Sequence, residues 1–182
     1  MKTLIMMVGL PRSGKTTLAR QQYIAYPRVN PDAIRLAIHG QPFIAEAEPF
    51  VWAIAHAMVD ALFLAGHDHV VLDACNNTRK RRDEWKRGAW DRRVFETVVA
   101  TEDECIARCH SPQLEEVIHR MAEAHEPVTV GEIGEKENLH ASCISFTTGL
   151  AVGVSNCSGD GHTACLKCTW YNRGEKGTGD DL

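Results

Sequence analysis

Apolar positions fall into short runs, each closed by a turn residue. Thr3–Val8 is a continuous apolar and β-branched run ending at Gly9, the pattern of a strand buried on both faces in a parallel sheet. Ser13-Gly-Lys-Thr-Thr17 then opens a helix reaching about Tyr23. Arg28–Asn30 reads as a short second strand, stopped by Pro31. Pro49–Ala65 is the clearest helix: Phe50, Ile54, Met58, Ala61/Leu62 and Ala65 recur at spacings of three and four and mark its apolar face. Gly66 is a natural stop after it. His69–Leu72 predicts another strand, ending at Asp73. Thr78–Trp90 reads as a basic helix and Val94–Ala100 as a further strand. Thr101-Glu-Asp-Glu104 fits a capping box and starts a helix towards Arg108. Pro112–Ala124 places Leu114, Val117, Ile118 and Met121 on one helical face. Strands alternating with helices predict an α/β fold with a parallel sheet flanked by helices.

After Glu126-Pro127 the helical pattern fades. Cys143–Val154 is small, β-branched and broken by glycine, which suits weak strands or a loop. Arg173–Leu182 is polar and Gly-rich and is expected to fray. Four of the seven cysteines and half of the fourteen glycines lie in the last 45 residues. The composition thus divides the chain into a domain over 1–137 and a small Gly/Cys-rich C-terminal segment over 138–182.

At 182 residues the chain is long enough for one core without disulfides. Its 44% hydrophobic and 24% charged residues exclude a disordered or collagen-like chain. No run approaches the 18 or so apolar residues of a membrane span, and Pro11-Arg12 interrupts the apolar N-terminus, so a cytoplasmic protein with no membrane association is expected. In that compartment the cysteines are expected as thiols. The net charge of −4 does not mark a general nucleic-acid binder, but its distribution is uneven. Thr78–Arg93 carries a local excess of +5, and Val94–Glu137 a local excess of −8. The basic stretch suits a phosphate-facing surface or a solvated helix face.

Gly9-Leu10-Pro11-Arg12-Ser13-Gly14-Lys15-Thr16, with Thr17 following, matches G-x-x-x-x-G-K-[ST], the Walker A phosphate loop, in its required setting between a strand and a helix. Gly9 and Gly14 let backbone N–H groups turn inward around phosphate oxygens, and the helix N-terminus adds partial positive charge. Lys15 is placed to reach the β- and γ-phosphates of ATP, and the Thr16 hydroxyl to ligate Mg²⁺. The guanine-specifying N-K-x-D tetrapeptide is missing, which favours a small-molecule or nucleic-acid kinase over a GTPase.

The acceptor side of such a kinase needs a carboxylate near the γ-phosphate to take the proton of the attacking hydroxyl. Asp32, just beyond the second strand, is placed for this. Arg35 shares its helical face and could hold an acceptor phosphate bidentately. The same two residues also suit an N-cap aspartate with a surface arginine. Asp73, at the carboxyl end of a strand, suits a place behind the Mg²⁺ waters, a contact to the acceptor, or a turn.

These segments together resemble the P-loop kinases of the phage polynucleotide-kinase type. The resemblance covers residues 1–130 and rests on the Walker A loop, Asn30-Pro-Asp-Ala-Ile-Arg35, Asp73-Ala-Cys-Asn76, Arg79–Arg82, Glu104–Arg108 and Arg120-Met121. It implies an ATP- and Mg²⁺-dependent phosphotransferase in which Asp32 is the general base, Arg35 grips the acceptor, and Asp73, Asn76 and Arg79 line the acceptor side. The expected acceptor is the 5′-hydroxyl of a polynucleotide. A nucleoside, a hydroxylated DNA base, another small alcohol, or a non-catalytic ATP-binding switch are the alternatives. The family carries a lid arginine on a longer connection than Arg108-Cys-His-Ser-Pro112. Arg108 and Arg120 are the candidates to take its place, and surface ion pairing is their other reading.

In the C-terminal segment, Cys157, His162, Cys165 and Cys168 have ligand types suited to tetrahedral Zn²⁺, with Cys143 able to replace His162. An unstructured tail with free thiols is the other reading. The acceptor and the oligomeric state are not fixed by sequence.

Overall fold

The computed structural model describes residues 1–130 and Glu132. β1 (Thr3–Val8) is buried at every position. An apolar run of this kind has to sit mid-sheet with both faces covered, and it does. The four-stranded sheet runs β2 (Arg28–Val29), β3 (His69–Leu72), β1, β4 (Arg92–Thr97), and every pairing is parallel. Ile5 of β1 lies between Val71 of β3 and Val94 of β4. The connection from β3 to β4 crosses over β1. The strand order therefore reverses beside β1, and ligands bind α/β sheets at the carboxyl edge of such a reversal.

Among the described residues, six helices cover the sheet and its carboxyl edge: α1 (Lys15–Gln22), α2 (Pro31–His39), α3 (Glu48–Leu64), α4 (Arg79–Asp83), α5 (Glu102–Ala107) and α6 (Pro112–Glu123). A 3-10 turn at Ala45–Ala47 precedes α3. On one face Leu4, Met6 and Val8 pack with Val29, Val70, Leu72, Phe95 and the inner side of α3. On the other, Ile5, Met7, Val71 and Val98 meet Leu18 and Ala19 of α1. A third cluster of Leu10, Cys105, Cys109 and Ile118 ties α5 and α6 to the loop after β1. The Thr101/Glu104 capping box forms as expected, because each side chain satisfies a backbone N–H that the first turn leaves free.

Three expectations need correction. The buried stripe of α3 is Val51, Ala55, Val59 and Phe63, one position on from the stripe read from spacing. Phe50 and Met58 are exposed instead. The helix is apolar nearly all round, so periodicity alone could not choose its inner face. With the turn before it, Ala45–Leu64 has a mean hydropathy of 1.4 and is long and apolar enough to cross a membrane by length and composition alone, against the expectation that no such segment exists. Here its inner stripe is part of the domain core.

The basic segment forms a helix only over Arg79–Asp83, not to Trp90. Trp85 is fully buried and stacks on His56 with ring centroids 3.7 Å apart, and Trp90 packs beside it. Burying Trp85, with Trp90 partly buried beside it, takes the chain off the helical path. The segment 138–182, with Cys143, Cys157, His162, Cys165 and Cys168, lies outside the described residues.

Candidate active site

The loop Gly9–Thr16 leaves the carboxyl end of β1 and enters α1. Gly9 has φ 143°, and a Cβ there would lie 2.5 Å from the Val98 carbonyl oxygen, so only glycine fits. Gly14 is left-handed (φ 106°) at the N-cap of α1 and turns the chain into the helix. Arg12 also has positive φ. Lys15 is buried, and its ammonium curls across the loop to donate to the Leu10 carbonyl, with Ser13 Oγ at 3.5 Å. The loop thus holds a buried cation and a helix N-terminus together, the elements of a phosphate cradle. Burial pushes the Cys75 thiol up, and the neighbouring Lys15 ammonium opposes that shift.

Asp73 is the hub beside the loop. It is buried, and its carboxylate accepts from Thr16 Oγ1 (3.2 Å), Arg28 (2.5 Å) and Asn30 Nδ2 (3.0 Å). Asn30 also donates to the Asp73 carbonyl at 3.0 Å. Of the sequence alternatives for Asp73, its contacts lie on the Thr16 side of the loop. The hydroxyl of Thr16 and the carboxylate of Asp73 are hard oxygen donors, a set that fits Mg²⁺.

Asn30, not Asp32, caps α2: its Oδ1 accepts the Ala33 N–H at 2.8 Å. Asp32 is in the first turn with its side chain 80% exposed. Arg35 Nη1 donates to Asp32 Oδ1. The same guanidinium meets Glu48 through two parallel bonds of 2.6 and 2.7 Å. That fork holds the Glu48 carboxyl below the usual range, despite the opposing effect of burial, and raises Arg35. Trp52 Nε1 donates to Glu48 at 3.1 Å, and the Arg81 guanidinium lies 4.1 Å over the Trp52 ring. α3 runs back towards the start of β3, so its N-terminus, with Glu48 and Trp52, lies at the carboxyl edge with the phosphate loop.

The remaining candidates separate. Arg108 is exposed, and its Nη1 donates to the carbonyls of Arg12 (3.2 Å) and Ser13 (3.4 Å), so it sits on the phosphate loop itself. Arg120 is exposed on α6. Asn76 is buried, and its amide turns inward to the Met7 carbonyl at 2.8 Å, bracing β1 below the loop. The Arg79 side chain is 55% exposed and lies 4.0 Å from Asp83. Arg82 is fully buried against Glu132.

The sequence reading did not single out Arg28, Glu48 or Trp52. Glu48 and Trp52 carry a weak signal, an i,i+4 pair on the first turns of a helix; Arg28 carries none. An apolar cleft of about 210 Å³ opens beside the loop, lined by Gly9, Leu10, Val98, Ala100, Ala122 and His125 among others.

A family model described as an AAA domain (AAA_33) matches residues 4–127. The chain belongs to that family. The AAA domain described here is an α/β P-loop fold whose loop chemistry is that of ATP binding. Among solved structures, a chain of the Pnkp1/Rnl/Hen1 complex is 29% identical, with a TM-score of 0.54, covering 62% of this chain and 40% of its own. A chain of the Pnkp1/Rnl/Hen1 RNA repair complex is 21% identical with a TM-score of 0.54, covering 68% and 45%. A sugar kinase from Janibacter sp. HTCC2649 is 20% identical with a TM-score of 0.50, covering 70% and 79%. The AAA domain chain thus spans less than half the length of the first two neighbours. No curated protein matches it.

Proposed function

We propose that this AAA domain is an ATP- and Mg²⁺-dependent kinase that transfers the γ-phosphoryl group to the 5′-hydroxyl of a polynucleotide. One relationship carries the reading. Thr16, Asp73 and Asn30 are joined by hydrogen bonds, and Asn30 caps the helix whose second residue is Asp32. The phosphate loop and an exposed carboxylate are thereby held on one rigid path.

The acceptor O–H would give its proton to Asp32 while its oxygen forms the bond to the γ-phosphorus. The bond from that phosphorus to the β,γ-bridging oxygen breaks, and ADP leaves. Arg35 holds Oδ1 of Asp32, which leaves Oδ2 to receive the proton. Thr16 and Asp73 would hold Mg²⁺, which neutralises charge on the β- and γ-oxygens when bound. Lys15 shares that task, and Arg108, already on the loop, takes the place of the lid arginine. The apolar cleft beside Gly9 would take the base of ATP. The polynucleotide acceptor is supported by the 29% identity to a chain of the Pnkp1/Rnl/Hen1 complex and by the exposed cations of α4.

The test is transfer of label from γ-labelled ATP to a 5′-hydroxyl oligonucleotide, with nucleosides, a hydroxymethylated base and sugars as rival acceptors. Label on the oligonucleotide end, lost in Lys15→Ala, is expected. Label on a rival acceptor alone would replace the substrate. Intact ATP binding with no transfer to any acceptor would favour a switch module.

A further inference from the structure

Four side chains beyond Asp32 continue the same edge of the sheet. Arg35 joins Asp32 to Glu48, Glu48 accepts from Trp52, and the Arg81 guanidinium carbon lies 4.1 Å over the Trp52 ring centroid. The indole is half-buried, with its inner side packed on the core, so its position is fixed by the fold. Arg81 is 36% exposed and also donates to Glu84 at 2.8 Å. An indole with a guanidinium laid over it offers a flat, cationic surface to a further ring.

A second observation points the same way. The basic residues of Thr78–Arg93 do not share one fate. Arg82 and Arg93 are buried. Arg79, Lys80, Lys86 and Arg87 are exposed around Arg81. Asp83, Glu84 and Asp91 are the carboxylates of that segment; the first two pair with Arg79, Lys86 and Arg81, and Asp91 accepts the Lys2 N–H at the far end of the segment. The exposed part of the segment therefore keeps a net positive charge next to the stacked pair.

We propose that Trp52 and Arg81 form a stacking platform for a base at the 5′ end of a single-stranded nucleic-acid acceptor, with the exposed cations of α4 and the turn after it following its phosphates. This rests on the kinase reading above and narrows its acceptor: a sugar or small alcohol has no aromatic base to stack and no phosphates to follow. Stacking tolerates any base, so the platform selects a strand rather than a sequence.

The test is direct binding, without ATP, of a 3′-labelled 5′-hydroxyl oligothymidylate, followed by anisotropy. Arg81→Ala and Trp52→Ala are each expected to weaken binding by about 5- to 100-fold. ATP affinity should be unchanged in both. Trp52→Phe should restore most of the affinity lost in Trp52→Ala, and Arg81→Ala should lower the salt slope by about 0.7. Arg81→Ala leaves the core untouched, so it keeps the test valid if Trp52→Ala does not fold. Oligonucleotide affinity within twofold of wild type in Arg81→Ala and Trp52→Phe, with the salt slope unchanged, would overturn the platform. Loss of strand binding in the variants of a protein that transfers no phosphate would leave the platform standing and reject the kinase reading alone.

Discussion

Arg35 and Glu48 meet through two parallel hydrogen bonds, 13 residues apart in sequence and across the junction of α2 and α3. The pair fixes the guanidinium whose third contact is the exposed Asp32. Arg35 therefore acts from a set position, and its other nitrogens are already engaged. Glu48→Gln removes the charged half of the fork. It should lower kcat for transfer several-fold, leave ATP affinity unchanged, and destabilise the domain by about 1–3 kcal/mol. Steady-state kinetics with each substrate varied, together with urea unfolding, checks both effects.

Arg82 is one of the residues of the basic segment that hold the fold. It meets Glu132 in two bonds of 2.7 and 3.0 Å, and its remaining N–H groups reach the carbonyls of Asn76, Glu126 and Pro127. Both side chains are buried. Arg82→Ala should cost about 3–5 kcal/mol, because it leaves a buried carboxylate and several carbonyls without partners. Replacing the pair with Arg82→Met and Glu132→Leu should cost less than Arg82→Ala alone. Thermal unfolding of the three proteins reads this order. A larger loss in the double variant would contradict it.

Glu96 sits under α1, where Tyr23 donates to its Oε1 at 2.5 Å and Oε2 has no partner among the described residues. Burial pushes the Glu96 carboxyl up to about 7, against the lowering effect of the Tyr23 bond. A carboxyl raised in the folded state stabilises the fold fully below its unfolded value and loses that contribution as pH rises through the folded one. The loss from this group should come to about 3 kcal/mol between pH 4.5 and 8. Glu96→Gln should flatten that slope and be more stable than wild type at pH 8. Urea midpoints across the pH range measure it. An equal slope in the variant would reject the assignment.

Much of this was legible in residue order. The run Thr3–Val8 with the Gly9–Thr16 loop set both the central strand and the site, because few other structures satisfy that pattern. The Thr101/Glu104 box marked a helix start whose cap formed as read. The inner face of α3 was not legible, since Phe50 and Val51 are equally apolar and only packing against the sheet separates them. Nor was the division among Arg79, Arg81 and Arg82. Their side chains are alike, and their roles depend on Asp83, Trp52 and Glu132, of which Trp52 and Glu132 are distant in sequence. Spacing put Arg35 and Asp32 on one helical face, where their side chains do meet, but it carried no sign of Glu48, which holds Arg35.

The central claim is that Asp32 takes the proton of the acceptor. The most direct measurement is single-turnover transfer from γ-labelled ATP by wild type and Asp32→Ala, with ATP affinity determined for both. Transfer should fall by about 10²- to 10⁴-fold in Asp32→Ala while ATP affinity stays within twofold. Transfer at the wild-type rate in Asp32→Ala would contradict the account and move the general base elsewhere.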